Sequence, residues 1–323
     1  MKKSFIIALA LVFAQKSLAA AKDRNHIPQK FAPVVVAVID TGADIYHKDL
    51  KDFIWTNPGE SGLDKFGNNK ENNKIDDDGN GFADDIHGWN FVDNNNDVSD
   101  DVGHGTHISG IIKREFNRYT GEDLQKSTSV PSVRLMILKY YDPVGKNQTN
   151  LNNSTRAIEY ANKMRVKVIN YSGGGAESNE AERKAISKSL QNDILFVAAA
   201  GNNFSNTDIK KYYPANYAFK NIISVAATNR DGELMPFSNY GSRSVDIAAP
   251  GKWILSTLPH NKYGVMSGTS QATAYVTGVV AKLIALNRRS VQGIYLQLLS
   301  VATFKKGLTG KTKNQLALIS NSN

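Results

Sequence analysis

Runs of apolar, largely β-branched residues recur at strand length: VVVAVI at 34–39, VRLMILK at 133–139, VKVIN at 166–170, ILFVA at 194–198 and IISVA at 221–225. Runs apolar throughout, with no polar alternation, belong to strands buried on both faces. Stretches with helical spacing separate them, at His104 to Phe116, Leu151 to Arg165 and Glu177 to Leu190, with a last one at Ser270 to Asn287. Strand and helix in alternation predict an α/β fold, a mostly parallel central sheet with helices on both faces. In such sheets, functional groups collect beyond the carboxyl ends of the strands. Asp40 follows the first run, Asn170 to Gly175 the third, and Gly201-Asn202 the fourth.

The stretch SGTSQATAYVTG at 267–278 crowds hydroxyl groups among the smallest residues. Small neighbours allow close backbone approach, and Gly268 permits a sharp turn before Ser270. A serine hydroxyl becomes a nucleophile only with a base in reach and a third group holding that base. Of the six histidines, His104 and His107 stand in the glycine-bordered context VGHGTHISG, at the predicted start of a helix. The pair lacks the glutamate of a zinc-binding H-E-x-x-H. One of the two could serve the site while the other packs against the sheet. Asp40 emerges from a buried strand, where a carboxylate must be paired.

IDTG, GHGTHISG and SGTSQATA give the chain order Asp, His, Ser, one of the known triad orders. With VINYSGGG (168–175), FVAAAGNN (196–203), YYPANYAFKNIISVAATNRDGELMPFSNYG (212–241) and VDIAAPGKWILSTLPHNKYGVMSGTS (245–270), the chain resembles subtilisin-like serine proteases of the subtilase family. The resemblance runs from about Val34 to Ile319. It implies a secreted serine endopeptidase with Ser270 as nucleophile, His104 as general base and acid, Asp40 as its orienting group and Asn202 as an oxyanion-hole donor. Ser172, Gly173 and Gly174 would form an edge against which substrate pairs. Ala200 and Gly201 would help wall the first side-chain pocket. Those segments hold no acid, so the pocket is expected to take apolar or mixed side chains. The chain departs from the family at Gln271-Ala272-Thr273-Ala274-Tyr275, where most relatives carry a proline at the position of Ala274. The fixed φ of that proline is missing, which puts the placement of Ser270 in question.

The N-terminus, MKKSFIIALALVFAQKSLAAAK, has two lysines, an apolar run too short to span a bilayer, and small residues after it. It reads as a signal peptide over 1–20, and the expected location is periplasmic or extracellular. Residues 21–33 are too few for a folded pro-domain, and 34–323 are expected to form a single peptidase domain. The formal net charge of +9 is spread along the chain, and its small basic clusters do not form a nucleic-acid footprint. Peptides or unfolded proteins are the expected partners, with the enzyme a monomer.

Cysteine is absent, so disulfides and thiolate metal sites are excluded. The Asp/Asn-rich insertion at about 56–103 reverses the sign of the chain: nine Asp fall between 76 and 101, with no Lys or Arg. Such carboxylates repel one another, and hard oxygen donors suit Ca²⁺. Asp76, Asp78, Asn80, Asp84 and Asp85 are the candidate ligands, in a spacing that is not an EF-hand. Asp49 is a second, isolated candidate suggested by the resemblance.

Overall fold

In a computed structural model, the described residues are 32–118, 131–144, 147–287 and 289–319. The expected signal segment at 1–20 and most of the short segment after it lie outside them. The element order is β1 (Val34–Asp40), β2 (Gly88–Asn90), α1 (His104–Arg118), β3 (Val133–Lys139), α2 (Asn147–Lys163), β4 (Val168–Tyr171), α3 (Glu180–Gln191), β5 (Leu195–Ala199) and β6 (Ile222–Thr228). There follow β7 (Ile247–Pro250), β8 (Ile254–Leu258), β9 (Lys262–Met266), α4 (Thr269–Asn287), α5 (Val291–Ser300), β10 (Thr303–Phe304) and β11 (Leu316–Ala317).

The main sheet has the order β10-β11-β7-β6-β5-β4-β1-β3-β2 and is parallel except for β10. Period-two alternation sends neighbouring residues of β1 to opposite faces. Val36 and Val38 pack with Ile108, Ile111 and Ile112 of α1, Val276 and Val279 of α4, and Ile294 of α5. Ala37 and Ile39 pack with Ile158 and Tyr160 of α2 and Ile186 of α3. This is the three-layer α/β arrangement expected from the sequence.

Successive connections turn toward β3 after β1 and toward β5 after β4, so the order reverses between β1 and β4. A crevice opens at the carboxyl ends of two such strands. Asp40 ends one, and Ser172 follows the other.

Two helices begin at that crevice and pack on each other behind it. Gly278 of α4 lies against the backbone of α1: a Cβ there would stand 2.7 Å from the Ile112 carbonyl oxygen. The β8–β9 hairpin, absent from the sequence reading, packs on the outer side of α1. Its hydroxyls Ser256 Oγ and Thr257 Oγ1 donate to the His107 and Thr106 carbonyls (2.8 and 2.7 Å). Among the described residues, no helix is long and apolar enough to cross a membrane.

Candidate active site

Asp40 is the last residue of β1 and His104 the first of α1. His104 Nδ1 lies 2.7 Å from Asp40 Oδ1. An ionised carboxylate only accepts, so Nδ1 carries the proton and Nε2 presents a lone pair. Burial opposes protonation of the ring. The adjacent Asp40 charge, its hydrogen bond and the charge of Asp100 outweigh it, and the pKa is raised above the ordinary histidine value of 6.5.

The register of this pair is set by Asp100, which the sequence reading counted only among the acidic residues of the insertion. Its buried carboxylate accepts from Thr41 Oγ1 (2.8 Å), Val102 N (3.1 Å), Gly103 N (2.8 Å), Thr106 N (2.8 Å) and Thr106 Oγ1 (2.6 Å). It therefore caps α1 and ties the helix to the loop after β1. Thr41 completes the link: its Oγ1 accepts from Gly105 N (2.9 Å), and its N–H donates to Asp40 Oδ1 (2.8 Å). Asp placed just before a predicted helix start is the sequence signal that would have found it.

Ser270 is the second residue of α4, where backbone N–H groups lack intrahelical partners. Its hydroxyl donates to the Ser172 carbonyl oxygen (3.0 Å), and not to His104 as a poised triad would have it. Ser172 Oγ in turn donates to the Ser270 carbonyl (3.3 Å) and accepts from Asn170 Nδ2 (3.1 Å). Asn170 Oδ1 accepts from Thr277 Oγ1 (2.8 Å), clasping β4 to α4. Hydroxyl hydrogens reorient readily, and catalytic bonds often tighten only with substrate bound. Ala274 is fully buried within the regular turns of α4, so the helix forms without the proline of most relatives.

Asn202 Oδ1 accepts from Thr269 N (2.8 Å) and Thr269 Oγ1 (3.0 Å), which fixes the amide and leaves Nδ2 as the donor. That nitrogen lies 3.6 Å from where a Cβ at Gly268 would stand, over the turn into Ser270. Gly201, at φ +100, has no room for a side chain, since a Cβ would meet Asn239 Nδ2 at 2.4 Å. Ala200 is buried beside it, its carbonyl accepting from the same Asn239 amide (2.8 Å). On the opposite wall a Cβ on Gly173 would stand 2.2 Å from the Tyr140 hydroxyl, and one on Gly174 2.5 Å from the Tyr213 carbonyl oxygen. His107 is fully buried and lies on the outer side of α1, its Nε2 3.0 Å from the Ile254 carbonyl and 3.2 Å from that of Gly264.

The acidic insertion divides its candidates. Asp76 accepts from Asn80 N (2.9 Å) and Gly81 N (2.7 Å), and Asp84 from Asn73 N (2.8 Å) and Lys74 N (2.9 Å); both carboxylates fasten loop backbone. Asp78 and Asp85 come together with Glu60, their ligand oxygens within 4.8 Å of one another. Asn80 enters this group through Nδ2, which donates to Asp78 Oδ2 (3.2 Å) and Asp85 Oδ2 (2.7 Å). Its Oδ1 accepts from Phe82 N (2.8 Å) and so is turned away. Asn57 Nδ2 and the Tyr160 hydroxyl also donate to Asp85. Burial pushes Asp85 up to about 6 against those bonds, with the Asp78 charge adding to the shift. Burial likewise raises Glu60. Glu60 was not foreseen because it lies outside the Asp-rich core. Asp49 is apart from any such group among the described residues, and accepts from the Tyr263 hydroxyl (2.7 Å), which lowers its pKa.

Residues 32–318 match the Subtilase family. The chain belongs to that family. This subtilase is 39% identical over 209 residues to Thermitase of Thermoactinomyces vulgaris, covering 65% of this chain and 70% of that one. It is 34% identical over 257 residues to the Thermophilic serine proteinase of Bacillus sp. (strain AK1), covering 80% of this chain and 53% of that one. The chain thus spans about half the length of the latter relative. Among solved structures it resembles that of a cold adapted subtilisin-like serine proteinase, at a TM-score of 0.63 and 26% identity, over 93% of this chain and 94% of that one.

Proposed function

We propose that this subtilase is a serine endopeptidase acting through an acyl-enzyme, on peptides or unfolded proteins. The 2.7 Å bond from His104 Nδ1 to Asp40 carries the reading, because it leaves Nε2 as a base beside the helix start that bears Ser270. Ser270 Oγ attacks the substrate carbonyl carbon while His104 Nε2 takes its proton. The oxygen of that carbonyl becomes an oxyanion, met by the Ser270 N–H and Asn202 Nδ2. His104, now an imidazolium stabilised by Asp40, gives the proton to the leaving amine. Water, deprotonated by the same nitrogen, then releases the acid and regenerates Ser270. The experiment is labelling with a serine-directed phosphonate alongside mapping of cleavage products in a denatured protein mixture. We expect one label, on Ser270, and loss of both label and cleavage in Ser270→Ala. Cleavage undiminished in that variant would refute the assignment.

Ca²⁺ as a structural ion belongs to the same proposal. Glu60, Asp78 and Asp85 offer hard oxygens in a partly buried group, and burial, with a smaller contribution from the Asp78 charge, raises Glu60 and Asp85. Asn57 and Asn80 turn amide donors toward the group, so among these side chains the carboxylates would be the ligands. Its role would be to brace the insertion. Chelation should lower the melting temperature of the wild type and leave that of Asp85→Asn unmoved; equal response of both would remove the claim. Export through residues 1–20 and a single peptidase domain over 34–323 complete the reading.

A further inference from the structure

A cavity of about 410 Å³ opens beside Gly174 and Gly175, away from Ser270. Tyr140, Tyr141, Tyr171 and Tyr213 help to wall it, with Glu177 and Glu182 as its acidic groups. Glu182 is 2% exposed, and no Lys, Arg or His lines the cavity or pairs with it among the described residues. A buried carboxylate without a cation is costly and needs a reason.

Capping does not supply one. Asn179-x-x-Glu182 has the spacing of a capping box, in which the glutamate would accept the N–H of the cap residue. Here that N–H goes to the Tyr217 hydroxyl (2.8 Å), and Asn179 itself caps α3 by accepting from Glu182 N (2.9 Å). The Glu182 carboxylate is thus released from the helix end. Burial lifts its pKa to about 7, with a hydrogen bond from Tyr217 working against the shift.

We infer that Glu182 and the surrounding tyrosines form a receptor for a lysine or arginine side chain of the substrate, upstream of the scissile bond. The inference rests on the protease reading above and deepens it. The leaving amine departs beside His104, so the acyl half of a peptide lies along the 172–175 edge. A peptide pairing there as an added strand passes the cavity mouth two to three residues beyond the one opposite Ser172. Aromatic faces attract a cation, and a carboxylate at the floor completes its neutralisation. The apolar or mixed preference expected of the first side-chain pocket is untouched; the cationic preference is added at a more distant position.

The test compares fluorogenic peptides differing only in lysine or norleucine at each upstream position. The readout is the ratio of their kcat/KM values, from which titration of His104 cancels. Glu182 is faced by Tyr140, Tyr171, Tyr213, Tyr217 and the exposed Glu177; Glu180 and Arg183 of its own helix are exposed and pair with each other. Burial raises Tyr140, Tyr171 and Tyr217 further above their ordinary range, whereas it lifts Glu182 into the span from pH 6 to 8. A group with pKa about 7 goes from roughly one-eleventh to ten-elevenths ionised over that span. We expect the lysine-to-norleucine ratio at one upstream position to rise about tenfold from pH 6 to pH 8 in the wild type. In Glu182→Gln the ratio should fall and lose its pH dependence. A flat wild-type ratio, or a lysine preference surviving in Glu182→Gln, overturns the inference while leaving the protease reading intact. Cleavage of neither peptide overturns both.

Discussion

The Asp100 clasp makes a quantitative prediction. In Asp100→Asn the shape is kept, but one oxygen becomes an NH₂ group that must face donors. If it takes the place of Oδ2 it meets Thr106 N and Thr106 Oγ1, now at 2.8 and 2.6 Å; in the place of Oδ1 it meets Thr41 Oγ1 and two backbone N–H groups. At least two hydrogen bonds to a charge are therefore lost, each of which contributes about 1.5–3 kcal/mol. Allowing for relaxation, we expect a loss of about 3 kcal/mol, and a fall in melting temperature of about 5 °C. The assay is urea unfolding in a Ser270→Ala background, which prevents self-digestion. Asp101→Asn is the internal control: that side chain is 87% exposed, 3.7 Å from Lys139, and its loss should stay within about 0.5 kcal/mol. In the otherwise native enzyme, Asp100→Asn should also lower kcat about tenfold or more, since in either placement the clasp holding the start of α1 to the loop after β1 is weakened. Equal, small effects of the two substitutions on unfolding would refute the reasoning.

Three further outcomes are expected. Asn202→Ala should lower kcat by about 10²–10³ with little change in KM, which steady-state kinetics would show; a change in KM alone would count against the oxyanion role. The acid limb of kcat/KM should have its midpoint above pH 6.5, because His104 must be neutral to act and its pKa is raised; in Asp40→Asn the residual activity should be about 10⁴ lower, with the limb displaced to lower pH. His107, buried and held near 4 chiefly by desolvation, has a folded pKa below its unfolded one, so stability present above about pH 6.5 should be lost as pH falls toward 4. Urea midpoints in the Ser270→Ala background should follow that course, and a flat profile between pH 6.5 and 4 would contradict it.

Much of the architecture was legible because parallel strands buried on both faces leave continuous apolar runs. β1 and β3 stand where VVVAVI and VRLMILK place them, β1 extending one residue to Asp40. β2, at Gly88–Asn90, was hidden because three residues in an Asn- and Asp-rich stretch carry no period. The β8–β9 hairpin escaped notice because β9, KYGVM, is largely exposed and its apolar residues face outward. Asp40, His104, Asn202 and Ser270 could be offered as candidates from motifs because the proposed chemistry restricts residue type. Asp100 and Glu182 could not, since a carboxylate looks alike in sequence whether it caps a helix, meets a cation or faces water. Asp76 and Asp78 show the same ambiguity: the first fastens the loop backbone, while the second also joins Glu60 and Asp85.

The seam at Gly278 reaches further than its position suggests. His104 and Ser270 begin helices that touch roughly two turns back, where Gly278 lets the α1 backbone come close. The gap between the proposed base and nucleophile is therefore gauged at a distance, like the opening of a pair of tongs set by its pivot. A single methyl group added at 278 would spread the jaws with the identity of every reacting residue unchanged, so variation in turnover can arise at positions no substrate ever contacts.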